Sequence, residues 1–104
     1  MGTPDYIAPE LIRGESSGPP ADVYALACVV YECLAGGPPY GDKRLFEIAS
    51  AHLDEPPPDL SVARPDVPRP LAEILQAGMA KDAAARPRTG TAFAHLLRAA
   101  ASRR

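Results

Sequence analysis

The chain has 104 residues, of which 46% are hydrophobic and 23% are charged, so it is one small globular domain or part of a larger one rather than a disordered segment. Its formal net charge is -2, with 13 acidic and 11 basic residues spread along the chain, and we therefore expect no nucleic-acid partner. The longest apolar run, Val23 to Leu34, contains Glu32 and is too short to span a bilayer, so we expect no membrane segment.

Prolines and glycines divide the chain into predicted elements. Residues 1–14 are predicted to be an extended loop that ends in one helical turn, with Pro9 at its first position and Gly14 at its stop. Residues 20–36 form the clearest helix, because apolar residues recur at helical spacing and the opposite side is apolar as well. Such a helix is buried, so we place this one at the centre of the fold.

Three further helices are predicted around this central helix. They cover residues 42–53, with Asp42 as the cap, residues 70–80, and residues 89–102, with Thr89 or Thr91 as the cap. The proline-rich residues 54–70 are predicted to form a long irregular loop. No alternating strand pattern and no internal repeat occurs, so the predicted fold class is all-α.

The cysteines and histidines do not indicate chemistry of their own. Cys28 and Cys33 lie on different faces of one predicted helix, so a mutual disulfide is not expected, and both are interpreted as small buried apolar residues. His52 and His95 are isolated from each other and have no cysteine at ligand spacing. The sequence therefore predicts no metal site.

Three segments, in chain order, match patterns of one protein family. They are GTPDYIAPE at residues 2–10, DVYALACVVYECLAGGPPY at 22–40 and KDAAARPRT at 81–89. The first resembles the end of the activation segment of serine/threonine protein kinases, with its Ala-Pro-Glu motif. The second resembles the F helix of the kinase fold, and the third resembles the connector that carries the family's buried arginine. The chain thus resembles a partial, bacterial eukaryotic-like kinase domain over residues 1–104, running from the activation segment through the F, G, H and I helices.

The resemblance implies structural roles for three charged residues. Glu10 and Arg86 would form a buried ion pair in which the guanidinium holds the carboxylate through two parallel hydrogen bonds. Asp22 matches the family's aspartate at the start of the F helix, which accepts hydrogen bonds from the catalytic loop. Without that loop, only the simpler interpretation of Asp22 as a helix N-cap applies.

A second set of residues is implied to contact a protein substrate. Thr3 resembles the threonine that distinguishes serine/threonine from tyrosine specificity, although taken alone it is an ordinary loop residue. Glu32 resembles a glutamate that meets basic substrate residues in some kinases and is structural in others. The substrate-binding set implied by the resemblance is Gly2, Thr3, Pro4, Tyr6 and Glu32.

Residues for phosphoryl transfer are missing from this sequence. The reaction needs a Gly-rich loop, a lysine, a catalytic aspartate and metal-binding Asp and Asn residues. None of the motifs G-x-G-x-x-G, His-Arg-Asp and Asp-Phe-Gly occurs in the 104 residues. We therefore expect no catalytic residue and no bound cofactor in this chain, with ATP and Mg bound only by the complete parent kinase.

Two functions remain open from the sequence. The first is a cytoplasmic C-lobe fragment of a serine/threonine protein kinase, from a truncated, split or mis-started gene, whose partners are a protein substrate or the missing N-terminal part of the kinase. The alternative is a stand-alone, non-catalytic protein-binding module derived from such a lobe. In either case we expect the central helix to keep an uncovered apolar side, which would make the isolated chain poorly stable and prone to associate.

Overall fold

The computed structural model describes residues 4–15 and 18–102, and within these ranges the chain is helical and contains no strand. The described part has 3-10 turns at Pro4–Tyr6 and Ala83–Ala85. The α-helices of the described part are α1 (Pro9–Ile12), α2 (Pro19–Ala35), α3 (Leu45–Asp54), α4 (Leu60–Ala63), α5 (Arg69–Gly78) and α6 (Gly90–Ala101). The predicted all-α fold class is confirmed.

Helix α2 lies at the centre of the fold, where it contacts α4, α5, α6 and the Pro4–Tyr6 turn. It begins with Pro19 and Pro20, whose missing N–H groups cost nothing in a first helical turn, and it ends at Gly36, which has a left-handed φ of 94°. The residues of the core with the lowest exposure are Ala8, Val23, Tyr24, Ala27, Cys28, Leu60, Ala72, Leu75, Met79 and Phe93.

Helices α5 and α6 pack closely against α2. Gly78, at the end of α5, allows this approach, because a Cβ atom there would lie 2.8 Å from Cε1 of Phe93 and 2.9 Å from Cβ of Ala27. The side chain of Thr89 caps α6 by accepting a hydrogen bond from the N–H of Ala92. Of the two predicted caps, Thr89 and Thr91, the structure thus has Thr89. Apolar contact therefore holds the second half of the chain to the central helix.

Two predictions for the middle of the chain are wrong. Asp42 does not cap α3, which begins at Leu45 because the Glu47 carboxylate accepts the backbone N–H of Arg44 at 3.0 Å. Residues 60–63 are helical rather than irregular, because the Asp59 side chain accepts the N–H of Ser61 at 3.0 Å. Local capping thus outweighs the surrounding prolines.

One side of α2 remains open among the described residues. Leu26 and Val29 are each 40% exposed, and Cys33 is exposed as well. An uncovered apolar side of α2 was expected, because the elements that contact the helix cannot cover it all round, whereas the interpretation of Cys33 as a buried residue is wrong. Cys28 is buried, and both thiols are free. None of the helices described is long and apolar enough to cross a bilayer.

Candidate functional site

The Pro4–Tyr6 turn contacts both α2 and α3. The hydroxyl of Tyr6 donates a hydrogen bond to the Glu32 carboxylate on α2, so the structure brings together two members of the implied substrate-binding set. This bond raises the pKa of Tyr6 to about 12, because loss of the phenolic proton would place two negative charges side by side. Pro4 begins the turn. Gly2 and Thr3 lie outside the described residues.

Glu10 and Arg86 form a bidentate ion pair. The two terminal nitrogens of Arg86 lie 2.8 and 2.9 Å from the two carboxylate oxygens of Glu10, across 76 residues of sequence. The Arg86 side chain is fully buried and that of Glu10 is 10% exposed. Hydrogen bonds from the guanidinium hold the pKa of the Glu10 carboxyl below its usual range. The pair joins α1 to the connector that precedes α6.

Arg86 also donates to backbone carbonyls at the edge of the pair. Its guanidinium lies 2.9 Å from the carbonyl oxygen of Pro20 and 2.7 Å from that of Ala80. These carbonyls belong to the first turn of α2 and to the segment that follows α5. One arginine thus fastens three separate segments to one another.

Asp22 lies in the first turn of α2 and is exposed. It is not the N-cap, because the helix begins earlier, at Pro19, with Gly18 in the cap position. The interpretation of Asp22 as a helix cap is therefore wrong. No residue in the described part of the chain hydrogen-bonds to its carboxylate, which is favourably placed near the positive end of the helix dipole.

A partly buried polar network that the sequence did not predict lies beside the turn. Lys81 donates from Nζ to the hydroxyls of Tyr40 and Tyr24, at 2.9 and 3.2 Å. The Tyr24 hydroxyl is also 2.6 Å from Nδ1 of the fully buried His52. Burial lowers the pKa of Lys81 to about 8, since the interior disfavours its charged form. In sequence, His52 was interpreted only as an isolated residue within the predicted helix over residues 42–53.

The described residues contain no cluster of side chains suited to a metal ion. Within residues 4–15 and 18–102, no group of three or more His, Cys, Asp or Glu side chains is placed to hold a metal ion. The full sequence also contains none of the three phosphate-binding and catalytic motifs of kinases. No step of phosphoryl transfer therefore follows from the residues of this chain.

Comparison with protein-family models and curated proteins gives one consistent result. A model of the protein kinase domain matches residues 1–97. The serine/threonine-protein kinase PknD of Mycobacterium tuberculosis is 45% identical over 87 residues, which are 83% of this chain and 13% of PknD. PknA of the same species is 39% identical over 94 residues, which are 90% of this chain and 21% of PknA. The chain thus spans a minor part of the curated relatives it matches.

A solved structure shares the fold. The crystal structure of the Mycobacterium tuberculosis PknI kinase domain matches with a TM-score of 0.77 and 33% sequence identity, over 97% of this chain and 36% of that one. The likeness therefore extends over nearly the whole of this chain and about a third of that kinase domain. This chain belongs to the protein kinase domain family, as a C-lobe segment of a bacterial, eukaryotic-like serine/threonine protein kinase.

Proposed function

We propose that this chain is the substrate-side part of a kinase whose reaction is the ATP-dependent phosphorylation of serine or threonine in proteins. The observation that carries the proposal is the anchored Pro4–Tyr6 turn. Tyr6 joins it to α2 through Glu32, and the Glu10–Arg86 pair holds the segment that follows. A turn held in place by such contacts offers a substrate peptide a preformed surface, which lowers the entropic cost of binding.

The proposed substrate residues have distinct chemistry. Gly2, Thr3, Pro4 and Tyr6 shape the pocket for the substrate residue that follows the phosphoacceptor. Glu32 offers its carboxylate to a basic substrate side chain, which would share that carboxylate with the Tyr6 hydroxyl. Asp22, exposed at the start of α2, is available to accept hydrogen bonds from a catalytic loop.

The proposed partners are a protein substrate and the part of a kinase domain that binds ATP and Mg²⁺. That part supplies the Gly-rich loop and the catalytic aspartate, which this sequence does not contain. We place the reaction in the cytoplasm, where ATP is available. The two free thiols, Cys28 and Cys33, suit a reducing compartment.

A chimeric kinase domain tests this function. The part of the PknD kinase domain that precedes the matching region is fused to this chain, and phosphate transfer from labelled ATP to a serine/threonine peptide library is measured. We expect the chimera to phosphorylate peptides and the 104-residue chain alone to show no transfer. The intact PknD kinase domain is the positive control. A chimera that folds and binds ATP but leaves every peptide unmodified would contradict the proposal.

A second candidate function is a non-catalytic protein-binding module. The observation that favours it is an apolar pair on α3, where Leu45 and Phe46 are 70% and 72% exposed. Exposed apolar patches commonly mark interaction surfaces. Titration of the chain against the intact PknD kinase domain tests this candidate. Saturable binding that Phe46→Ser abolishes would favour it, and absence of binding would exclude that partner.

A further inference from the structure

His52 lies between the central helix and the Pro4–Tyr6 turn. It belongs to α3 and is fully buried. Its Nδ1 atom is 2.6 Å from the Tyr24 hydroxyl, and its Nε2 atom is 3.0 Å from the backbone carbonyl oxygen of Asp5. The ring also packs edge-on against Tyr24 and Tyr40, with ring centroids 5.5 and 5.0 Å apart. Both nitrogens of one imidazole are thus engaged, each with a different element.

The partners of His52 determine which nitrogen carries the proton. A carbonyl oxygen can only accept, so Nε2 must hold a hydrogen and donate it to Asp5. Nδ1 of the neutral ring is then an acceptor, and the Tyr24 hydroxyl donates to it. Lys81 supports this direction, because its ammonium group can only donate and occupies a lone pair of the Tyr24 oxygen. Hydrogen bonds therefore run in one direction from Lys81 to the turn.

We propose that His52 is a positioning residue, which holds the Asp5 carbonyl and so sets the backbone of the Pro4–Tyr6 turn and the approach of Tyr6 to Glu32. Among the described residues, side-chain hydrogen bonds from two different helices fasten the turn, one through Glu32 of α2 and one through His52 of α3. The relevance to a substrate rests on the proposed function. The hydrogen bond from His52 to the Asp5 carbonyl, which we call the tether, does not rest on the proposed function, because it is a contact within this chain.

The tautomer of His52 provides the first test. Nitrogen-15 spectroscopy of the 104-residue chain distinguishes an imidazole protonated at Nε2 from one protonated at Nδ1. We expect His52 in the Nε2–H form with a slowly exchanging ring proton. The exposed His95, the second of two histidines, provides the internal reference for a solvated ring. A His52 ring protonated at Nδ1 alone would overturn the proposal.

Two substitutions with the same functional group provide the second test. In His52→Gln the side-chain amide nitrogen reaches about as far as Nε2 of the imidazole, so it can still donate to Asp5. In His52→Asn the amide ends about where Nδ1 lies and cannot reach that carbonyl. We expect amide exchange at Tyr6 and Ile7 to accelerate roughly two- to tenfold in the Asn variant relative to the Gln variant, the range set by one hydrogen bond.

Matched variants at His95 calibrate this comparison. His95→Gln and His95→Asn, on the exposed face of α6, measure the general effect of the two residues on a helix and should leave the turn unchanged. Equal exchange at Tyr6 and Ile7 in both His52 variants would overturn the tether, and so would an Asn effect reproduced at His95. If the Asn variant is unfolded, the tautomer measurement decides alone.

The chimera separates this role from the proposed function. If the turn contacts substrate, His52→Asn raises the peptide KM relative to His52→Gln and leaves the ATP KM unchanged. A turn that is disturbed in the exchange measurement while the peptide KM stays constant would leave the tether intact and overturn the substrate role of the turn. Failure of the His52 contact and failure of the proposed substrate role would therefore give different results.

Discussion

Two regions of this molecule are held together by different forces. Around the Pro4–Tyr6 turn, short segments are fastened by directed hydrogen bonds through Glu10, Arg86 and His52. Around α5 and α6, regular helices rely on apolar packing centred on Gly78 and Phe93. Long helices satisfy their own backbone groups, whereas short irregular segments need side-chain partners to do so. The polar contacts are therefore concentrated where regular structure is shortest.

The largest expected effect concerns the polar region. Glu10→Ala leaves the buried Arg86 guanidinium without its carboxylate and should cost about 3–5 kcal/mol in the free energy of unfolding, measured by urea denaturation. Glu15→Ala is the matched control, because it removes an exposed, solvent-screened pair with Arg13 and should cost far less than Glu10→Ala. Equal effects of the two substitutions would show that the buried pair does not stabilise this region.

Acid should weaken the same region. The pKa of Glu10 is lower in the folded chain than its ordinary value of 4.5, so below that pH the unfolded chain binds more protons and stability is lost as the pH falls. We expect thermal unfolding between about pH 7 and pH 3 to show this loss, and Glu10→Gln to reduce it. Part of the pH dependence of stability will remain in this variant, since Arg64 holds the pKa of Asp66 at about 2. If the stability of Glu10→Gln falls with pH as steeply as that of the original chain, Glu10 is not the source of the loss.

A smaller effect is expected in the packed region. In Gly78→Ala the new methyl group would meet Phe93 and Ala27 at under 3 Å. Overpacking should cost about 1–3 kcal/mol, offset by up to about 1 kcal/mol from the better helix propensity of alanine. Gly90→Ala at the start of α6 is the control, because nothing lies within 4 Å of its Cβ position. Greater stability of Gly78→Ala would show that the packing there is loose.

The smallest effect on stability concerns the open side of α2. Replacing Leu26 and Val29 together by glutamine should change the free energy of unfolding by no more than about 0.5 kcal/mol per site, while reducing self-association in sedimentation experiments. Leu96→Gln on α6, where the leucine is 43% exposed, is the control and should leave association unchanged. Association that persists in the double variant would place the contact elsewhere.

The contrast between the two regions also explains what could be predicted from the sequence. The central helix follows from apolar periodicity, and its start follows from the Pro19–Pro20 pair once local geometry is considered. The link between Tyr24 and His52 spans 28 residues, and that between Lys81 and Tyr24 spans 57, so no local pattern indicates them. The pairing of Glu10 with Arg86 was expected only through the family resemblance.

The site was harder to predict than the fold for a physical reason. A buried polar residue looks like a surface residue in sequence, because its partners are determined by tertiary structure. His52 was therefore interpreted as isolated, and Asp22 as a cap that the structure assigns to Gly18. Helix α4 was missed because the capping by Asp59 acts within a segment that prolines dominate.

The two cysteines on α2 allow transient opening of the core to be measured by thiol labelling. Cys33 is exposed, whereas Cys28 is buried and its pKa is raised to about 12 by that burial. The thiolate is the reactive form, so a thiol reagent at neutral pH should modify Cys33 in the native state and Cys28 only when the core separates. The rate of Cys28 modification therefore measures how often the elements packed on α2 separate from it.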